Sequence, residues 1–451
     1  MIRTNQLSFS YDEQQKVLNN ITLEIPTDKF SLLIGPTGCG KSTLLKILAG
    51  LYPKYAGKVS GTVELDGLRS AMMFQNAGEQ FTMATPREEI IFALENLQLS
   101  RDQYLERLND ATKFTQIEQL LDQKITTLSG GEQQRVALAV LVAMDVDLFL
   151  LDEPFASCDP EARQFLITKL AHLRDKGKTI ILTDHVLTGY ENICDYLFQF
   201  KRDNVTLLDE ASKNELLHDS QQEHTYTFAL PENETPCFVL TNAQVEQNRI
   251  LLKQDHLSII AGKTTLITGA NGVGKTSLFN VLTKMLPYRG SITYDKREIR
   301  NQTTRKYLLE VGQIFQTATD QFIAVSVEDE IKLSLKQAKD SYFTEEKIAE
   351  MLDYLDLGQT KDQVVYSLSG GQQKKLQILL MLISSQKVLL IDEPLSGLDY
   401  ESAQKVMNLL HESQKQRHQT LLIISHELTN LADWCDYHLI FSNHYLTYSN
   451  K

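Results

Sequence analysis

The chain has 451 residues, 42% hydrophobic and 23% charged, which excludes disorder as its dominant state and leaves apolar material for about three domains or two large ones. Against 45 Lys and Arg stand 58 Asp and Glu, a formal net charge of −13, so no basic excess is available to neutralise nucleic-acid phosphates. Five dispersed cysteines without a CxxC argue against a disulfide framework or zinc site, and no run nears the ~18 apolar residues of a membrane span. Met1 to Gln6 carry no apolar leader, so a cytoplasmic chain that reaches a membrane only through partners is expected.

In chain order, Phe30 to Ile34 reads as a strand running into Gly35-Pro36-Thr37-Gly38-Cys39-Gly40-Lys41-Ser42, followed by Thr43 and a helix from Lys41 to Leu51. Leu128-Ser129-Gly130-Gly131 opens a long amphipathic helix. Asp147 to Leu151 is the near-continuous apolar run of a buried parallel strand, ending at Asp152-Glu153-Pro154. Thr179 to Thr183 is another, followed by Asp184-His185. The polar, proline-bearing stretch 221–236 reads as a linker between a domain at 1–220 and one at 237–451.

The same order then repeats. Thr264 to Thr268 runs into Gly269-Ala270-Asn271-Gly272-Val273-Gly274-Lys275-Thr276, with Ser277 and a helix to Leu286. Leu368-Ser369-Gly370-Gly371, Lys387 to Ile391 with Asp392-Glu393-Pro394, and Thr420 to Ile424 with Ser425-His426 follow. The loop lysines stand 234 residues apart and the later landmarks 240 or 241, so the second copy carries about seven extra residues between its first landmarks. Strands alternating with helices imply an α/β sheet covered on both faces.

Glycines in each loop let successive backbone N–H groups close on phosphate oxygens, and the helix start adds its positive dipole end. Lys41 and Lys275 are expected to reach the β- and γ-phosphates, and the Ser42 and Thr276 hydroxyls to ligate Mg²⁺. Cys39 is expected to serve only as a small residue. Asp152 and Asp392, at the carboxyl edge of their strands, are expected to support Mg²⁺, and Glu153 and Glu393 to polarise the attacking water. His185 and His426 are expected to hydrogen-bond the γ-phosphate. Ser129 and Ser369 can cap their helices while the glycines beside them admit a second phosphate contact.

This set of Walker A, Q-loop, LSGGQ-like signature, Walker B with adjacent Glu, D-loop and His-switch resembles the ATPase domain of ABC proteins, twice over nearly the whole chain. A narrower resemblance lies in Phe74-Gln75-Asn76-Ala77-Gly78-Glu79-Gln80-Phe81 and Phe315-Gln316-Thr317-Ala318-Thr319-Asp320-Gln321-Phe322. Both are similar to the FQNPDDQ segment of energy-coupling-factor (ECF) importers, and Arg87 to Ile90 and Val327 to Ile331 to the TVEDDI stretch after it. The resemblance implies two tandem ABC-type P-loop ATPase domains of the α/β class. Each would have a mainly parallel sheet core, an antiparallel β part and an α-helical subdomain. The cofactors implied are ATP and Mg²⁺, with Gln75 and Gln316 as metal ligands and catalytic groups.

The resemblance further implies two ATP molecules clamped head to tail. One site would join Lys41, Ser42, Gln75, Asp152, Glu153 and His185 to Ser369, Gly370 and Gly371. The other would join Lys275, Thr276, Gln316, Asp392, Glu393 and His426 to Ser129, Gly130 and Gly131. Tyr11 stands 24 residues before Gly35, where the family places an aromatic that stacks on adenine; the residue equally far before Gly269 is Val245, so a weaker second site is expected. The partners implied are a membrane T component and a substrate-binding S component, with no nucleic acid. The chain would be peripheral at the cytoplasmic face of the cell membrane, driving uptake of a vitamin, a vitamin precursor or a metal ion. Glu79 and Asp320, four residues after the Q-loop glutamines, are expected to receive basic residues of the membrane partner. The alternative is a soluble tandem ABC ATPase acting on ribosomes, which the short linker and acidic charge disfavour.

Overall fold

Contacts cluster within two units, Met1–Gln222 and Glu223–Lys451. The computed structural model describes all residues except 12–15, 37, 76, 156–157, 202–203, 220–225, 248, 339–341, 426–430 and 451, and the side chains of 79 and 219.

The first unit runs β1 (Ile2–Ser10), β2 (Lys16–Ile25), β3 (Phe30–Ile34), α1 (Lys41–Leu48), β4 (Lys58–Glu64), β5 (Ser70–Met73), α2 (Pro86–Glu95), α3 (Arg101–Thr115), α4 (Gly130–Met144), β6 (Leu148–Asp152), α5 (Pro160–Asp175), β7 (Thr179–Thr183), β8 (Tyr196–Lys201), β9 (Asn204–Leu207) and α6 (Glu210–Asp219). One sheet, in the order β2-β1-β4, is antiparallel. The other, β5-β6-β7-β3-β8-β9, is parallel except for its last pair. β6 and β7 are buried along their whole length, which is why they read as unbroken apolar runs. Because β3 lies beside β7 and one place from β6, the segments that follow these three strands emerge together at one sheet edge. Helices α2, α3 and α4 share a separate apolar cluster around Ile90, Leu94, Leu108 and Val136.

The second unit repeats this plan through β10 (Pro236–Gln247), β11 (Arg249–Ile260), β12 (Thr264–Thr268), α7 (Lys275–Leu282), β13 (Arg289–Tyr294), β14 (Arg297–Glu298), α8 (Thr304–Leu308), β15 (Val311–Ile314), α9 (Val327–Gln337), α10 (Glu345–Tyr354), α11 (Gly370–Ile383), β16 (Val388–Asp392), α12 (Tyr400–Arg417), β17 (Thr420–Ile424), β18 (Tyr437–Ser442) and β19 (Tyr445–Ser449). Its sheets are β11-β10-β13-β14 and β15-β16-β17-β12-β18-β19. The extra residues of this copy form β14 and α8. Tyr307 anchors them: it is buried and its hydroxyl donates to the Leu282 carbonyl at 2.6 Å.

Candidate functional site

The turn out of β3 is forced by its first glycine. Gly35 has φ +151°, and a Cβ there would lie 2.6 Å from the Phe200 carbonyl oxygen; Gly269 repeats this with φ +156° and 2.4 Å to the Phe441 oxygen. Left-handed Gly40 and Gly274 then start α1 and α7 with no side-chain cap, so the first-turn N–H groups stay available to an anion. Lys41 bends back across its loop, donating to the carbonyls of Gly35 (2.6 Å) and Pro36 (3.1 Å). Lys275 does the same with Gly269 (2.7 Å) and Ala270 (3.0 Å). Thr37 lies outside the described residues. Cys39 is buried, and that burial pushes its thiol up against the lowering effect of Lys41.

At the first position of each helix's polar edge, a hydroxyl meets a strand-end carboxylate. Ser42 Oγ donates to Asp152 Oδ1 at 2.9 Å, and Thr276 Oγ1 to Asp392 Oδ2 at 2.8 Å. Burial raises both carboxyl pKa values, against the lowering effect of these hydrogen bonds. A cation beside them would relieve that burial cost. Among the described residues no group of three or more His, Cys, Asp and Glu could hold a metal. A hydroxyl beside a carboxylate is a donor set that suits Mg²⁺, which takes few protein oxygens and completes its shell with phosphate and water.

Glu153 and Glu393 follow their strands in left-handed backbone (φ 44° and 49°). In the first unit the structure brings three of the expected groups together. Glu153 Oε1 lies 2.8 Å from His185 Nε2, and Gln75 Nε2 donates to Glu153 Oε2 at 2.7 Å. Burial opposes a charge on His185, but the hydrogen bond and charge of Glu153 outweigh it and raise its pKa. In the second unit Ser425 Oγ donates to Glu393 Oε2 at 3.1 Å, and His426 lies outside the described residues. Gln316 is engaged through its backbone carbonyl.

Two participants escape the sequence reading. Thr183 Oγ1 donates to Asp152 Oδ1 (2.8 Å) and accepts from the Glu153 N–H (3.0 Å). Lys374, buried in α11, donates to the carbonyls of Phe315 (3.2 Å) and Gln316 (2.9 Å) and to Gln377 Oε1 (3.3 Å). Burial brings its pKa down to about 8, against the opposing charges of Asp392 and Glu393. Gln134 holds the matching place in the first unit, donating to the Gln75 carbonyl at 3.3 Å. A lysine where the first copy has glutamine was the only signal available. At the signature helices, Ser129 and Ser369 form capping boxes with Glu132 and Gln372.

Tyr11 is half exposed, its hydroxyl 3.3 Å from Thr43 Oγ1 and its ring edge-on to Phe9 and Tyr52. Val245 is not its counterpart. Val245 is buried and pairs with Leu252, as buried Phe9 pairs with Leu18. The hairpin between β10 and β11 is two residues shorter than that between β1 and β2, so a fixed count from the glycine loop slips by two. Arg249, at the turn of that shorter hairpin, reaches the loop instead, with Nη2 donating to the Gly272 carbonyl at 2.7 Å. Asp320 is exposed; the Glu79 side chain lies outside the described residues.

A family model described as ABC transporter matches residues 18–156 and again 252–396. A Bacillus subtilis ATP-binding protein, assigned by name to HMP/thiamine import, is 29% identical across 97% of this chain and 89% of the relative. A Treponema denticola protein named as an ABC transporter ATP-binding protein is 30% identical across 98% of this chain and 95% of its own length. Among solved structures, ribosome-bound archaeal Pelota and ABCE1 matches with a TM-score of 0.72 at 18% identity, over 98% of this chain and 78% of the other, a likeness of fold alone. Among the described residues no helix is long and apolar enough to cross a membrane.

Proposed function

We propose that this chain, which belongs to the ABC transporter family, is the ATP-hydrolysing subunit of an ECF-type importer, acting at the cytoplasmic face of the membrane on T and S components. The observation that carries the hydrolytic reading is the duplicated pairing of Ser42 with Asp152 and Thr276 with Asp392, each beside a glycine loop crossed by its own lysine. Backbone N–H groups of the loops would take the phosphates, and Lys41 and Lys275 would exchange loop carbonyls for β- and γ-oxygens. Ser42, Asp152 and Gln75, and their counterparts Thr276, Asp392 and Gln316, would hold Mg²⁺, which when bound neutralises phosphate charge. Glu153 and Glu393 would orient the attacking water and draw its proton, with His185 and His426 on the γ-phosphate.

Two observations support the import reading. One is the name of the Bacillus subtilis relative. The other is an apolar corner in the second unit, where Ile323 is 82% and Val325 66% exposed beside exposed Val364 and Tyr366. The Val365 N–H donates to the Val325 carbonyl just as the Ile125 N–H donates to the Ala84 carbonyl in the first unit, which fixes the correspondence. The first unit there has Thr82, Ala84, Lys124 and Thr126. A clustered apolar surface marks an interaction site, and exposed Asp320, Glu328, Asp329 and Asp362 near it suit a basic-flanked segment of the T component. Ile323→Ser with Val325→Ser should abolish co-purification with the T component and uptake of the cargo, while ATP binding stays unchanged. Unchanged assembly and uptake, or a chain that sediments with ribosomes and not with membranes, would overturn the import reading.

A further inference from the structure

Behind the first unit's histidine lies a buried charged cluster. Arg163 of α5 and Asp184 form an ion pair at 2.8 Å with side chains only 13% and 10% exposed. The Tyr190 hydroxyl donates to the same Asp184 oxygen at 2.7 Å. The other oxygen, Oδ1, accepts the backbone N–H groups of His185 (2.7 Å) and Val186 (3.1 Å). Arg163 Nη2 donates to the carbonyls of Val186 (2.8 Å) and Thr188 (3.0 Å), and its guanidinium stands over the Phe155 and Tyr190 rings, about 5.1 Å from each centroid. The backbone on both sides of His185 is thus tied to one carboxylate and one guanidinium. Charge-assisted bonds of this kind are strong, and a buried pair keeps its place only when its remaining donors and acceptors are used, as they are here.

Among the described residues the second unit has no such cluster. Matching N-caps at Asp159 and Asp399 place Ala403 where Arg163 stands. The Glu153 N–H donates to the Thr183 carbonyl and the Glu393 N–H to the Ile424 carbonyl, which places Ser425 at the position of Asp184. Equivalent turns from Tyr190 to Ile193 and from Leu431 to Trp434 place Leu431 at Tyr190. All three replacements are buried and uncharged. Ser425 donates instead to Glu393 itself, a bond that a carboxylate at this position cannot make.

We infer that Arg163, Asp184 and Tyr190 are positioning residues that hold His185 against Glu153, so that the first unit's site meets its substrate already organised. The inference rests on the hydrolytic reading above. Its test copies the second unit into the first: Arg163→Ala, Asp184→Ser and Tyr190→Leu together, a combination that leaves no buried charge unpaired. Rates are measured in the full chain, in wild type and in a His185→Ala background, with unfolding midpoints alongside. The triple variant should fold, keep its ATP KM, and lose about ten- to a hundredfold in kcat, the upper figure being the scale of a catalytic group misplaced by about 1 Å. In the His185→Ala background the same three changes should cost nothing further, because they act through that ring. An unchanged kcat in the folded triple variant, or the same loss with and without His185, would overturn the inference. Should His185→Ala itself turn over at the wild-type rate, the hydrolytic reading fails and takes the inference with it. A slow His185→Ala with a fast triple variant overturns the positioning role alone. As a second check, Arg163→Lys, which keeps the charge but not the forked geometry, should lose less than Arg163→Ala.

Discussion

In the first unit Asp152 receives hydroxyls from Ser42 and Thr183, and Glu153 is held by Gln75 and His185. In the second, Asp392 receives Thr276, Glu393 receives Ser425, and the strand that supplies Thr183 offers Ile424 in its place. The glycine loops themselves are superimposable in chemistry: the same lysine bonds, the same hydroxyl–carboxylate pair, the same left-handed glycine before the helix. Groups that touch phosphate have little freedom, because backbone donors must converge within hydrogen-bond reach and only glycine permits the approach. The layer behind them is free to drift so long as its polar atoms find partners. Inequality between the two sites is therefore expected in positioning and pKa, and far less in phosphate affinity.

The largest expected effect tests whether the halves are equal in hydrolysis. A positioned base contributes about 10²- to 10⁴-fold. Glu153→Gln and Glu393→Gln should each slow turnover, and the double variant should retain unhydrolysed ATP in a monomeric chain. Since Glu153 is the carboxylate gripped by His185 and Gln75, its loss should cost more. Single-turnover rates of the two variants decide: equal losses break the inequality, and a double variant as fast as wild type removes the assignment of the bases.

The sequence discloses this site unevenly, for physical reasons. Strands read at Phe30–Ile34, 147–151 and 179–183 lie at or within one residue of β3, β6 and β7, because a strand buried on both faces leaves an unbroken apolar run. The helices after the loops end earlier than read, at Leu48 and Leu282, where local capping turns close them. β14 and α8 are too short to leave a period. Gly35 and Gly269 are legible because nothing with a Cβ fits there. Thr183, Lys374 and the Arg163–Asp184 pair are not, since each acts on a neighbour between 21 and 59 residues away that only the fold supplies. Val245 shows the converse error: counting along the chain assumes equal hairpins, and strand register does not.

A smaller effect separates Lys374 from Gln134. With its folded pKa down to about 8 and the usual lysine value holding in the unfolded chain, the unfolded state carries more protons between those two values. Stability tied to Lys374 therefore rises with pH through that window, and below it the cost of burying the charge is fully present. Lys374→Gln, which copies the first unit, should remove this slope. From pH 7 to 10 wild type should gain on the variant by at most about 3 kcal/mol. Denaturant titrations of both proteins at several pH values would show it; parallel stability curves would mean the ammonium is not depressed.

The smallest effect concerns adenine. A base stacked on the open face of Tyr11 should contribute about 0.5 to 1.5 kcal/mol beyond burial, or roughly two- to tenfold in affinity. Tyr11→Ala should weaken ATP binding by that factor when measured in a Lys275→Ala background, where only the first site is intact. The second site has Arg249 beside its loop in place of an aromatic, a planar cation that can lie against a base but spends one donor on Gly272. In the Lys41→Ala background Arg249→Ala should therefore weaken ATP by no more than the Tyr11 change does. Counting alone would recommend Val245→Tyr as the way to improve this site. The register says otherwise: Val245 is in the core opposite Leu252, so a tyrosine there overpacks it and should cost about 1 to 3 kcal/mol of stability without tightening ATP. Nucleotide titration and thermal unfolding of that one variant separate the two accounts. A stable protein with a tighter second site would restore Val245 as the platform position, whereas a destabilised protein with unchanged affinity leaves the role to Arg249 among the described residues.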